Sequence, residues 1–189
     1  MATVPGLSWS ARPDGWVNGA RALASDHHDE RSLASTVDLL VIHHISLPPG
    51  RFSGDAIERL FTGTLDCGAH PYFAGLAGLR VSAHFLIRRR GELCQFVGTD
   101  HRAWHAGVSQ FQGRERCNDF SIGIELEGTD DVPYEPAQYE TAAGVIRALL
   151  GAYTTLCASR IVGHSDIAPG RKTDPGDSFD WARMRALLA

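Results

Sequence analysis

The stretch "VGHSDIAPGRKTDPG", from Val162 to Gly176, sets one His, one Lys and two Asp among two Pro and three Gly. It is too broken for a helix and too polar for a core strand. Either it is a polar surface loop, or His164, Lys172 and Asp174 are held together for chemistry. That chemistry would be metal-assisted hydrolysis. A further His comes from "VDLLVIHHI" (37–45), where His43 or His44 ends an apolar run. Two His and one carboxylate form a tripod for zinc that leaves a fourth position for water, and zinc lowers the pKa of that water to about 7. Lys172 stands two residues before Asp174, so in an extended segment both project to one side. There its ammonium can stabilise a developing oxyanion.

The reaction also needs a base. "SIGIELEG" (121–128) alternates, with Ile122, Ile124 and Leu126 on one face and Ser121, Gly123, Glu125 and Glu127 on the other. Glu125 is the candidate, with Gly123 beside it leaving room. Bland readings compete with each assignment. A His at a strand end is most often structural, an Asp before Pro-Gly is most often a turn residue, and a loop Lys is usually solvated. A rival metal site pairs His164 with Asp166, as in 2-His-1-carboxylate iron centres. Those sites usually draw a second His from downstream, and no His follows His164. Asp166 is therefore read as structural.

The elements that must position these residues are legible in outline. "VDLLVIHHI" carries apolar groups on both parities, which predicts a central strand buried on both faces. His43 and His44 then point to opposite sides. "GDAIERLFTG" (54–63) predicts a short helix. "RVSAHFLIRRRGELCQFV" (80–97) predicts two strands joined near Arg90 and Gly91. Pro136 to about Tyr153 predicts the longest helix, with Tyr139, Ala142, Ile146, Leu149 and Tyr153 on one face. "SRIVGH" predicts a strand ending at His164, and "FDWARMRALL" a terminal helix. Alternating strands and helices imply an α/β (α+β) fold, a mixed sheet with helices packed on it. Residues 1–36 read as an irregular N-terminal arm, including "ASDHHDERS" (24–32), and residues 37–189 as one domain. His27 and His28 carry no functional reading.

Composition narrows the class. The 189 residues carry a net charge of −4, which argues against a nucleic-acid or membrane partner. No signal-peptide pattern or membrane-spanning run is visible. The four Cys (67, 94, 117 and 157) form no C-x-x-C pair and read as scattered reduced thiols, which favours the cytoplasm.

Four segments carry a resemblance: "VIHHISLPPG", "HPYFAGLAGLRVSAHFLIRRRGE", "RAWHAGVSQFQGRERCNDFSIGIELEG" and "GHSDIAPGRKTDPG". Together they resemble the cytoplasmic 1,6-anhydro-N-acetylmuramoyl-L-alanine amidases of peptidoglycan recycling, from about Leu39 to the terminal helix. The resemblance implies a mixed central β-sheet flanked by helices, as in phage lysozyme-type amidases and peptidoglycan recognition proteins. It implies one Zn2+ per chain held by His43, His164 and Asp174, with Glu125 as catalytic carboxylate and Lys172 as transition-state stabiliser. Many of the wider relatives place Cys at the third ligand position; here it is Asp174, as in the recycling enzymes. The residue after the first ligand is often Asn in this family, whereas here it is His44, which could border the pocket. The implied substrate is a small anhydromuropeptide, and a monomer is expected. Arg80 and Arg116 are candidates for peptide carboxylates, and Tyr72 and Trp104 for stacking, with a packed Trp104 and a solvated Arg114–Arg116 run as alternatives. His84 and His105 either orient groups lying behind the metal ligands or simply pack. Two other classes compete: a wall-lytic amidase acting on intact peptidoglycan, and a non-catalytic muropeptide-binding module.

Overall fold

The computed structural model describes residues 14–32 and 34–189. Its centre is the apolar run, which forms strand β3 (Leu39–Ile45). Before it come β1 (Arg21–Ala22) and β2 (His28–Glu30). After it follow helices α1 (Ala56–Phe61) and α2 (Pro71–Ala74), then strands β4 (Phe85–Ile87), β5 (Leu93–Gln95) and β6 (His101–Ala103). A small hairpin of β7 (Gln110–Phe111) and β8 (Arg114–Glu115) leads to β9 (Ser121–Glu127). Helix α3 (Pro136–Ala152), strand β10 (Ile161–Gly163), the single-turn α4 (His164–Ile167) and α5 (Trp181–Leu188) complete the chain.

The main sheet has the order β1-β5-β4-β9-β3-β10. It is mixed: β4, β9, β3 and β10 run parallel, and β5 is antiparallel to β4. β3 is central and buried on both faces, as its two apolar parities require. Leu40 and Ile42 join Ile122, Ile124 and Leu126 under the α3 residues Tyr139, Ala142, Ile146 and Leu149. Leu39 and Val41 pack on the other side with Ala106, Cys117, Phe120 and Ile167. The polar parity of β9 is buried too, so Ser121, Glu125 and Glu127 face the interior and not solvent.

Two local expectations differ from the fold. "ASDHHDERS" is not irregular. Within it β2 pairs antiparallel with β6, and just before it β1 extends the main sheet beside β5. Arg31 then donates to the carbonyls of Thr99, Asn118, Asp119 and Ser121. Burial lowers its pKa to about 10, so it stays charged. Strands of two and three residues are too short to show a period, which hid them in the sequence. Residues 1–13 of the expected arm lie outside the described residues. The second difference is α4. His164 opens a helical turn, and Asp166 Oδ2 accepts the Gly163 N–H at 2.7 Å, the use this carboxylate finds.

Candidate metal centre and active site

Register builds the site. β3 pairs with β9 so that His43 lies beside Glu125, and with β10 so that Ile42 lies beside Gly163. One step further, His164 falls next to His43 at the carboxyl end of the sheet. The row Glu125, His43, His164 thus crosses three parallel strands, at the edge where α/β folds place their sites. His43 continues the parity of Leu39 and Val41, while His44 points to the α3 side.

Asp174 arrives from the loop after α4. A Cβ on Gly163 would stand 2.7 Å from Pro175 Cδ, so this close return of the chain requires glycine there. The Ser165 N–H donates to the Asp174 carbonyl at 2.9 Å. His43 Nδ1 and His164 Nδ1 stand 2.9 Å apart, and each is 3.0 Å from Asp174 Oδ2. All three residues are buried, and their ligand atoms converge on one point.

The donor chemistry fits a cation. Both hydrogens of Arg171 Nη2 go to the carbonyls of Ala106 and Val108. His164 Nε2 lies 3.1 Å from the Ala106 carbonyl and 3.3 Å from Arg171 Nη2, and its Nδ1 faces the cluster. Ligands on a tetrahedral zinc at ~2.0 Å stand roughly 3.3 Å from one another, close to the observed triangle. Burial lowers His43 to about 4, against the raising effect of Asp174, so its imidazole is neutral and able to ligate. Burial alone would raise the Asp174 carboxyl. Its contacts with His164 and His43 outweigh that and hold it well below the usual carboxylate range.

Glu125 has the opposite character. It is 8% exposed, and its Oε2 has no hydrogen-bond partner among the described residues. Burial first, and the Asp174 carboxylate second, push its pKa well above the ordinary value, against a smaller pull from Lys172. A buried carboxyl with a raised pKa and a free oxygen is suited to taking and returning a proton.

These groups open on a cavity of about 280 Å³ lined by His43, Glu125, His164, Lys172 and Asp174. His44, Tyr72, Trp104 and His105 line it as well, with an apolar wall of Leu60, Leu76 and Leu79. Arg80 is not in the wall but lies over the Trp104 ring at 5.3 Å. Trp104 Nε1 donates to Asp29. Arg116 does not reach this cavity; it pairs with Asp119 at 3.1 Å and borders a neighbouring hollow with Arg171. His44 Nε2 contacts Asp130 Oδ1 at 3.0 Å, and Asp130 Oδ2 accepts from Thr173 Oγ1 at 2.9 Å. That bridge holds the loop segment between Lys172 and Asp174. No spacing in the sequence marks Asp130 for it.

The room beside Glu125 belongs to another residue. A Cβ on Gly123 would lie 2.5 Å from His105 Cγ, so the His105 ring occupies the space a side chain would fill. Asn118 Oδ1 fixes the segment by accepting the N–H groups of His105 and Ala106. Gly123→Ala is expected to cost about 1–3 kcal/mol through overpacking against the imidazole. Urea unfolding of the metal-free protein checks it, and a loss under ~0.5 kcal/mol would show that the ring moves aside freely.

Comparison with known proteins places this site in a family. The profile described as N-acetylmuramoyl-L-alanine amidase matches residues 33–177. The 1,6-anhydro-N-acetylmuramyl-L-alanine amidase AmpD of Escherichia coli is 62% identical over 175 residues, covering 93% of this chain and 95% of that protein. A crystal structure of a selenomethionine AmpD derivative superposes with a TM-score of 0.90 at 61% identity, over 93% of this chain and 98% of that one. The amidase AmiD of E. coli, solved in complex with anhydro-N-acetylmuramic acid-L-Ala-D-γ-Glu-L-Lys, gives a TM-score of 0.59 at 28% identity, over 84% of this chain and 60% of that one. With the family profile spanning β3 to β10, the ligand triad and the return loop, the chain belongs to the N-acetylmuramoyl-L-alanine amidases.

Proposed function

We propose that this chain hydrolyses the amide between the lactyl group of 1,6-anhydro-N-acetylmuramic acid and L-Ala, as one step of cell-wall recycling, with one zinc held by His43, His164 and Asp174. The observation that carries the reading is the tripod of metal-binding atoms beside a buried carboxyl whose Oε2 has no partner among the described residues. A bound zinc ion would supply Lewis acidity, acidifying water and polarising the scissile carbonyl. Glu125 takes the proton of the attacking water and returns it to the leaving L-Ala nitrogen. The Lys172 ammonium, on the same cavity wall, stabilises the oxyanion of the tetrahedral intermediate.

Tyr72 and Trp104 offer faces for the sugar or peptide, and His44 borders the pocket. Arg80, held over Trp104, presents a forked donor for a peptide carboxylate. A module that only binds muropeptide would need neither a full ligand set nor a poised Glu125. Every residue of the site comes from one chain, so the reading needs no partner subunit. It places the enzyme in the cytoplasm, in keeping with four free thiols. Among the described residues no helix is long and apolar enough to cross a membrane.

The test gives purified protein an anhydromuropeptide and an intact-wall muropeptide, each with and without chelator. Peptide release from the anhydro substrate, lost on chelation and restored by zinc, is the expected result. Release from neither substrate with zinc bound overturns the proposal.

A further inference from the structure

The return loop carries two functional groups, and they are held by different means. Asp174 is anchored several times over. Its carbonyl accepts the Ser165 N–H at 2.9 Å, and its Oδ2 stands 3.0 Å from both imidazoles. The carbonyl of the next residue, Pro175, accepts from the buried Tyr134 hydroxyl at 2.8 Å. Lys172 is held from its two sides. Its own N–H donates to the Ala168 carbonyl at 3.0 Å, and the following residue, Thr173, donates its hydroxyl to Asp130 Oδ2 at 2.9 Å.

Asp130 is well placed to serve as that anchor. It follows β9, the strand of Glu125. Its Oδ1 stands 3.0 Å from His44 Nε2, near the end of β3. Its carbonyl accepts the Ser178 N–H at 3.2 Å, and the Thr129 carbonyl accepts from Ser178 Oγ at 3.2 Å. Gly176 has φ +79°, and a Cβ there would lie 2.5 Å from Asp130 Cα, so the two backbones approach where only glycine fits. The connector after the base is thus tied to the loop of the proposed oxyanion stabiliser.

We infer that Asp130 is a positioning residue: through the Thr173 hydroxyl it sets where Lys172 stands in the cavity, while Asp174 keeps its place by its own anchors. A hydrogen bond at a half-buried carboxylate adds little to stability. A misplacement of ~1 Å in a site can nevertheless cost about 10²-fold in rate. Lys172 has its task only on the amidase reading above, on which the inference rests.

Variants of the full chain, loaded with zinc and given the anhydromuropeptide, test it. Asp130→Ala should lower kcat about 10–100-fold. Thr173→Val removes the hydroxyl, keeps the branched shape and should do the same. In both, KM should stay within about threefold of wild type, because the loss falls on the transition state. Zinc affinity, read by competition with a chromogenic chelator, should also hold within about threefold, below the loss that follows when a ligand's own support is removed. Thr173→Ser keeps the hydroxyl and should retain kcat within about threefold of wild type. Adding Asp130→Ala to Lys172→Ala should slow turnover no further, since both changes remove one interaction. In the metal-free protein, hydrogen exchange at the Lys172 amide should quicken in Asp130→Ala, with the Ser165 amide unchanged. A wild type without turnover, or a Lys172→Ala protein as fast as wild type, overturns the amidase reading and the inference with it. With Lys172→Ala slow, the inference alone is overturned by an Asp130→Ala protein that turns over or exchanges like wild type. A zinc affinity that falls more than about tenfold also overturns it. So does a double variant far slower than Lys172→Ala, or a Thr173→Ser protein as slow as Thr173→Val. Should Asp130→Ala not fold, the two Thr173 variants decide by kcat.

Discussion

Asp174→Ala is expected to leave the chain without metal at stoichiometric zinc, with its fold kept. Asp174 supplies the anionic corner of the triangle, 3.0 Å from each imidazole nitrogen. Without it two imidazoles remain, and the tripod loses the carboxylate ligand that offsets the charge of a dication in a buried site. We expect affinity to fall by more than ~100-fold, beyond the range of outer-sphere partners. The fold should persist, because the apolar clusters on both faces of the sheet do not include Asp174. Zinc titration with thermal unfolding separates the cases. A ligand at 100 times its Kd stabilises the folded state by about 2.7 kcal/mol. The wild type should show that gain and Asp174→Ala should not. Full zinc occupancy in the variant would remove Asp174 from the ligand set.

What the sequence discloses about this site follows from how local each signal is. Alternation in "VDLLVIHHI" and "SIGIELEG" is carried by adjacent residues, so the buried central strand and the common face of Gly123 and Glu125 are legible without a structure. Which strands are neighbours is not local. The placing of Glu125, His43 and His164 in one row depends on the pairing of β9, β3 and β10, and no spacing encodes it. His43 and His44 illustrate the divide. Parity says that they part; only the register says which of them meets His164. The resemblance to recycling amidases reached the same choice by a different route. Gly123 was visible as a gap in a polar face, yet its occupant, His105, comes from a loop 18 residues earlier with no periodic signature. Likewise the half-buried Arg31 and the Asp130 bridge draw their roles from backbone carbonyls and from a loop hydroxyl, groups that composition does not display.

Glu125→Gln is expected to keep zinc and lose turnover by about 10²–10⁴-fold, the usual contribution of a positioned acid–base group. Glu125 lies outside the triangle of ligand atoms, so the variant should match the wild type in metal affinity. The amide is nearly isosteric and neutral, so it fills the same buried space without a proton to exchange. Stability should also move, in a direction the environment dictates. In the metal-free protein, burial and the Asp174 carboxylate raise the Glu125 pKa. The folded state then holds a proton that the unfolded chain releases above its ordinary value near 4.3. The favourable contribution of Glu125 is thus complete below that value and is lost as pH rises toward the folded-state pKa. Gln has no such loss. The metal-free variant should therefore gain stability over the wild type between pH 5 and pH 7.5, and the gap should widen as pH rises. Urea unfolding at the two pH values measures it. A dication in the tripod opposes the effect by favouring the carboxylate, so zinc should narrow the gap. Near-normal turnover in Glu125→Gln would exclude Glu125 as the base. A stability gap that shrinks with rising pH would place its carboxyl in a wetter setting than a partnerless, buried oxygen allows.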